Sequence, residues 1–492
     1  MPPAMPSPAD RAPAPRRQRS SILLAGALVL LATGPLAAQG PAKSPTVTTF
    51  TSPDGTRFAL VVDRTMRQVH WAVATPADPA DEPPGIEGLA VAVAQASLAG
   101  TWRTGSLDPA RERPALEALD QAFHAMLASP RDPAMAKRVA ECEVLAASLG
   151  DPLVFPRVLA AQPAHRPEIV PQEGTVVLQF STVAPAIESV AKLLLERREE
   201  QALRDLGKSW MRELVVRQNR YDADPASAVH AELLALAMPN HPASRAAERA
   251  GRGMPRRDQA LAVWQATQRP ERTVHALVGD FDPAVAQRTL CAVFTSTALP
   301  PASSPQNAPL RPIQSVRRST VPGVREPMVA IAWVMPEPLD TYLLDAAVRW
   351  FGGGRDSWLG RALAKAGRSA ATVACRAPWP VVVGGQSLFL VDVSDSSGAP
   401  GLAEFVVQQA RLAAAQAPTT AELQSVATAQ HLAWNLTTAD PRRVAADIAG
   451  RWLLRPQAVP PLGPPQQPDG RAVQQVLAKV LASQPVVVEG RR

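Results

Sequence analysis

Tyrosine occurs only twice in 492 residues, cysteine three times, and aromatic residues together make up 4% of the chain. A core of this composition has to be packed by aliphatic and small side chains rather than by rings. Cys142, Cys291 and Cys375 are far apart, odd in number and in no C-x-x-C pattern, which excludes a disulfide framework and a cysteine metal knuckle. At most one bridge could form, and buried small hydrophobes are the simpler reading. The seven histidines, His70, His124, His165, His230, His241, His275 and His431, never stand three or four residues apart. No helix turn therefore offers two imidazoles to one metal. There is no G-x-S-x-G elbow for a serine nucleophile, and spacing supports no Cys/His dyad. Gly352-Gly353-Gly354 is followed by Arg355-Asp356-Ser357, where a phosphate loop needs Gly-Lys-Ser/Thr. No basic tract is interleaved with aromatics, which argues against nucleic acid as a partner.

What the chain does have is length, 46% hydrophobic residues and 51 prolines, enough for one large or two medium cores punctuated by many turns. Its first 38 residues read as a secretory signal. Arg16-Arg17-Gln18-Arg19 is the charged region, residues 22–32 the apolar region, and Leu36-Ala37-Ala38 the small-residue exit. The apolar run is shorter than the roughly 20 residues a stable membrane span requires. The expected location is the periplasm or the medium outside the cell. That segment contributes +3 of the net +7, so the mature chain carries an ordinary +4.

Along the mature chain, strands at 46–50 and 56–62 flank the turn Ser52-Pro53-Asp54-Gly55 and predict a hairpin, with another strand at 69–74. Residues 81–101, DEPPGIEGLAVAVAQASLAGT, form an acidic turn leading into a helix over 87–101. Helices are predicted at 114–128, 132–149 and 183–203, with strands at 174–181 and 272–280. Asp282 and Pro283 are placed to start a helix as N-cap and first residue. The Pro- and Ser-rich stretch 299–325 reads as a linker. Beyond it come a strand (327–335), a helix (339–351), a glycine turn into another helix, and strands at 370–375 and 381–394. Helices at 402–415 and 419–436 follow, the latter with a Thr419/Glu422 capping box. A loop at 456–468, a last helix and a strand at 485–488 close the chain. The second half reads as a repeat of the first.

The motifs DEPPG-x-x-GLA, RYD-x-x-P (Arg220 to Pro225), GDFDP (Gly279 to Pro283), GGGR-x-S-x-L and P-T-x-x-E-L, in this order, resemble the insulinase/pitrilysin family of zinc peptidases, the inverzincins. The resemblance spans almost the whole mature chain. It implies an α+β fold: two homologous α/β domains, at 41–298 and 326–492, each a mostly antiparallel sheet packed with helices. A helical region at about 105–170 is implied inside the first. In that family the helix after the acidic turn carries H-x-x-E-H, two zinc ligands and a general base. Laid on Gly88-Leu89-Ala90 and Gly100-Thr101, those three positions fall on Val91, Ala94 and Gln95. The third ligand position falls on Val216, or on Val215 if the frame slips by one. The family's substrate-holding Arg and Tyr fall on Leu363 and Ala370, or on Ala364 and Ala371, with Lys365 close by. Valine and alanine have no lone pair for a metal and a Gln amide is a poor zinc ligand, so no zinc and no other cofactor is expected.

The resemblance therefore implies a pseudo-peptidase. It would pair with an active zinc-bearing homologue, or with a second copy of itself, and hold peptides by strand addition to a sheet edge. A stand-alone peptide-binding or scaffold protein is the alternative from another class. A working peptidase with a metal site assembled from distant residues is the third.

Overall fold

The chain alternates strands and helices through two sheets. The computed structural model describes residues 47–159, 167–239, 241–247, 253–295, 313–335, 339–381, 387–398, 400–455 and 462–492. The first stretch runs β1 (Val47–Thr51), β2 (Arg57–Val62), β3 (Val69–Pro76), α1 (Leu89–Ala96), α2 (Pro109–Ala128), α3 (Pro133–Leu149) and α4 (Val154–Leu159). It continues with β4 (Glu168–Gln172), β5 (Thr175–Thr182), α5 (Ile187–Glu199), α6 (Leu206–Ala223), α7 (Ser227–Ala237) and α8 (Pro242–Ala246). It ends with α9 (Arg257–Thr267), β6 (Val274–Gly279) and α10 (Pro283–Val293). The second runs β7 (Arg317–Val321), β8 (Met328–Val334), α11 (Thr341–Gly352), α12 (Trp358–Lys365), β9 (Thr372–Trp379) and β10 (Leu388–Ser394). It closes with α13 (Leu402–Ala414), α14 (Thr420–Thr438), α15 (Pro441–Leu454), α16 (Gly470–Val480) and β11 (Val486–Gly490).

Many of these boundaries have a local cause. Four helices (α2, α3, α10 and α15) begin Asp-Pro, the aspartate accepting from the backbone N–H two residues on while proline fills the first helical position. The hairpin turn closes as predicted: Thr56 N donates to Asp54 Oδ1 at 2.9 Å, and Thr51 lies opposite Arg57. Both halves of the α14 capping box are made.

The strand order is β1-β2-β6-β3-β5-β4 in one sheet and β7-β11-β8-β10-β9 in the other. Each has one parallel pair, β2 with β6 and β7 with β11, and is otherwise antiparallel. Apart from β1 the second sheet repeats the first strand for strand, so β9 stands where β4 does. Both sheets are covered on both faces, which is why β3 and β8 are apolar almost throughout. On one face, Phe58, Trp71, Phe180 and Leu277 pack with helices α5 and α10. The opposite face is lined by Ala59, Ala72, Ala74 and Ala276, small enough for α15 from the far end of the chain to lie on it through Ala445, Ala449 and Trp452. The second sheet is treated reciprocally. Trp333, Phe389 and Val391 face its own helices, while Ala330, Ala332 and Leu390 receive α7 through Val229 and Leu233.

Several expectations are corrected. The linker of 299–325 is too long: Arg317–Val321 is strand β7, paired in parallel with β11. It shows no apolar alternation because it is an exposed sheet edge. The helix expected over 183–203 is α5, which begins at Ile187 behind a short 3-10 turn and stops at Glu199. The strand expected over 381–394 is described only from Leu388, residues 382–386 lying outside the described residues. The signal segment and part of the loop 456–468 also lie outside them.

Candidate functional site

The helix on which the family motif would sit is held at both ends by buried charge. At its start Gly88 adopts φ +99°, and a Cβ there would lie 2.9 Å from Arg217 Cδ and 3.3 Å from Glu213 Cγ. Glycine is needed twice over, for the left-handed backbone and for the close approach of α6. The cap comes from the acidic turn. Gly88 N donates to Glu82 Oε2 at 2.8 Å and Ala90 N to Oε1 at 2.7 Å. Burial pushes the Glu82 carboxyl up to about 7, against the pull of those two N–H groups and of Arg217. Glu87 accepts from Gly85 N and from Arg245 Nε.

The other end is fixed by Arg204. Its Nη1 donates to Ala99 O at 2.9 Å, its Nη2 to Thr101 O at 2.8 Å, and its fork grips Glu112. A Cβ at Gly100, Gly105 or Gly150 would lie 2.9, 3.3 or 2.8 Å from the Arg204 side-chain nitrogens. These glycines make room for the guanidinium.

Gly88, Val91 and Gln95 share one face of α1, being three and four residues apart. Gly88 abuts Glu213 and Arg217, and Arg212 Nη1 reaches Gln95 Oε1 at 3.4 Å, so this face looks across at α6, which runs antiparallel to it. Val216 lies one turn on from Arg212 towards the Gly88 end, 43% exposed at the rim; Val215 is 54% exposed. Ala94 is buried in the interior. The structure thus sets Val91 and Gln95 against the helix that carries Val216, and none of the four side chains is a metal donor of the kind zinc takes. Among the described residues no group of three or more His, Cys, Asp or Glu is arranged to hold a metal ion. The residues present do not fit zinc.

The charged residues of this groove were not singled out by sequence reasoning. Glu213 is buried on α6, its carboxyl raised by burial and opposed by Arg217 and Arg220. The readable signal was the i,i+4 pair Glu213/Arg217 following Leu206 and Trp210.

In the second half, Leu363 is 1% exposed and packs in the core with Leu359 and Ala371, so it cannot present anything to a substrate. Ala370 and Ala364 are exposed. The arginines nearby are committed: Arg361 to Glu422 and Asp356 O, Arg368 to Asp395. Three of the described histidines have structural roles. His230 Nε2 lies 2.9 Å from Asp392 Oδ1, His241 Nδ1 caps α8, and His275 Nδ1 accepts from Trp71 Nε1 at 3.1 Å.

Residues 256–429 match the family model described as the peptidase M16 inactive domain. Over that stretch the chain is similar to the inactive domain of the M16 peptidases. A protease from Helicobacter pylori shares its fold with a TM-score of 0.62 at 15% identity, over 91% of this chain and 100% of that one. A peptidase M16 inactive domain from Pseudomonas fluorescens does so at 0.62 and 14%, over 91% and 98%. An M16-like peptidase from Alicyclobacillus acidocaldarius does so at 0.57 and 13%, over 91% and 99%. At these identities the likeness is one of fold. No curated protein sequence matches the chain. The matched stretch lies after Val91, Ala94, Gln95 and Val216, and those four side chains offer neither a zinc donor of the usual kind nor a general base.

Proposed function

We propose that this protein is an exported, non-catalytic M16 subunit that pairs with a homologue still carrying H-x-x-E-H and helps enclose extended peptides. The observation that supports this is the groove between α1 and α6. Its geometry is held by Glu82, Arg204 and the glycines around them, while Val91, Ala94, Gln95 and Val216, at the family's ligand and base positions, can neither bind zinc nor move a proton. A fold maintained without its chemistry fits a partner's needs better than a reaction of its own. Export rests on the segment 1–38, and peptide holding on strand addition, which needs backbone groups only. Among the described residues no helix is long and apolar enough to cross a membrane.

The test is purification of the tagged full chain from the native cell envelope, with identification of what accompanies it. An intact zinc-peptidase homologue in stoichiometric amount is the expected result. Recovery of the protein alone would remove the heterodimer, and a mass of two chains would replace it with a homodimer. One zinc per chain together with chelator-sensitive peptide cleavage would overturn the non-catalytic reading altogether.

A further inference from the structure

The corner organised by Arg204 contains a cavity that is distinct from the groove between α1 and α6. Helix α2 turns Leu116, Leu119 and Phe123 to one side, three and four residues apart, and all three are buried. Across from them α3 contributes only the methyl group of Ala146. The start of α6 closes the third side, where a Cβ at Gly207 would strike the Phe123 ring, so backbone and ring are in direct contact. The space left between the three helices has a volume of about 80 Å³.

Its two ends differ in character. The inner end is the Arg204–Glu112 pair, whose polar atoms are taken up by each other and by Ala99 O and Thr101 O. That end asks for no polar group from a guest. At the outer end Lys208 Nζ lies 3.2 Å from Glu143 Oε1, the two side chains being 51% and 31% exposed. Asp205 also lines the cavity, half-buried at the N-cap of α6, and its side chain makes no cap bond. An exposed pair such as Lys208–Glu143 is held weakly and opens at little cost. The rim therefore offers one cation and two carboxylates around a single apolar slot.

Size and charge together select the guest. An apolar cavity of about 150 Å³ takes a benzene ring, so one of about 80 Å³ has room for three or four carbon atoms and no ring. A bare hydrocarbon would leave the rim unused, an aliphatic acid would engage Lys208 alone, and an aliphatic amine would engage the carboxylates alone. A zwitterion with a short branched side chain engages all of them. We infer that the slot between α2, α3 and α6 binds a free aliphatic α-amino acid of about the size of valine. Its side chain lies against Leu116, Leu119 and Phe123, its carboxylate on Lys208, and its ammonium between Glu143 and Asp205. One exposed ion pair is thereby exchanged for two, and the apolar side chain leaves water. The site depends neither on peptide holding nor on a partner subunit.

The test is a titration of the full chain with L-valine, followed by saturation-transfer NMR. Saturable binding in the low millimolar range is expected, with the strongest transfer to the valine methyl protons. Isovalerate and isobutylamine, which are valine without its ammonium and without its carboxylate, should each bind at least about five-fold more weakly. L-Phenylalanine, too large for the slot, should not compete. Ala146→Leu fills the space and should abolish binding. Lys208→Gln, at an exposed position that leaves the core untouched, should weaken it about three- to ten-fold. Absence of valine binding overturns the inference. So does equal binding of isovalerate or isobutylamine, competition by phenylalanine, or valine binding that Lys208→Gln and Ala146→Leu both leave unchanged.

Discussion

Replacing Arg204 with methionine should destabilise the protein by about 4 kcal/mol, most of it from the charge left behind. Arg204 and Glu112 are 7% and 0% exposed, and the guanidinium makes two bonds to the carboxylate and one to each of the Ala99 and Thr101 carbonyls. Removing one partner of a buried ion pair typically costs about 3–5 kcal/mol, because the other keeps its desolvation without its counter-charge. Removing both should cost less. Arg204→Met with Glu112→Leu should recover at least about 2 kcal/mol, leaving the two carbonyls as the residual loss. Gly150 sharpens the test. A Cβ there would lie 2.4 Å from Glu112 Oε1 and 2.8 Å from Arg204 Nε, and the position has no left-handed backbone to forbid a side chain. Gly150→Ala should therefore be damaging in the native chain and nearly neutral once the pair is replaced. Thermal and urea unfolding of the single, double and triple variants measure all of this. If the double variant is as unstable as the sum of the singles, and Gly150→Ala is equally harmful in both backgrounds, the pair does not organise this corner and the reasoning fails.

Two pH dependences of opposite sign follow from buried groups. His275 is held neutral, with its pKa lowered to about 3 by burial and by nearby Arg198, against 6.5 when unfolded. The unfolded chain therefore gains a proton that the native one refuses, and stability falls by about 1.4 kcal/mol per pH unit below 6.5 until about pH 3. Acid titration of unfolding for His275→Asn should show that slope reduced. Glu82, raised from 4.5 to about 7 by burial, keeps its proton in the native state where the unfolded chain loses it. Its contribution is present below 4.5 and is lost as pH rises to about 7, and Glu82→Gln should flatten that limb at the loss of one cap bond, about 1 kcal/mol. Val91→His with Gln95→His puts two imidazoles one turn apart on the face turned towards α6, and Val216→Glu adds a carboxylate at its rim. The triple variant should bind about one zinc per chain in a metal titration, and the native chain should bind none. Failure with the helical signal intact would show that Val216 is not level with the other two.

The elements that sequence reasoning found are those whose cause is local. The β1–β2 hairpin follows from Asp54 and Gly55, the start of α10 from Asp282-Pro283, and the start of α14 from Thr419 and Glu422. The elements it missed have causes elsewhere in the chain. Helix α15 carries Ala445, Ala446 and Ala449 on its buried side because its partner is the alanine-lined face of a sheet formed some 170 to 380 residues earlier. Helix α7 is apolar through most of its length because it serves the opposite sheet. Strand β7 has no readable alternation because Arg317, Arg318 and Thr320 are exposed and only Ser319 and Val321 are half-buried. In the site, the frame glycines were legible but their reasons were not: the side chains that require them, Arg217 and Arg204, come about 100 residues or more after Gly88 and Gly100.

That last point bears on what a motif frame means. Gly88 and Gly100 resemble the surroundings of a zinc motif, and such a frame is easily taken as a trace of catalysis. Each has a sufficient reason here that involves no metal. Gly88 must admit Arg217 and Glu213 and hold φ +99°, and Gly100 must hold φ +95° with Arg204 Nη1 and Thr104 O where a Cβ would go. The frame belongs to the packing of α1 against α6 and to the seat of Arg204 at its far end, while the family's ligands project from the frame into the groove. Substitution at Val91 or Gln95 leaves the buried ends of α1 untouched, so the chemistry is separable from the scaffold in a way the glycines are not. A side chain at Gly88 or Gly100 should therefore damage this protein about as much as it would damage one with the zinc motif intact. By the same logic Val91→Ala or Gln95→Ala should shift its stability by no more than about 1 kcal/mol in thermal unfolding. A large loss at Gln95 would mean that its contact with Arg212 has become structural in its own right.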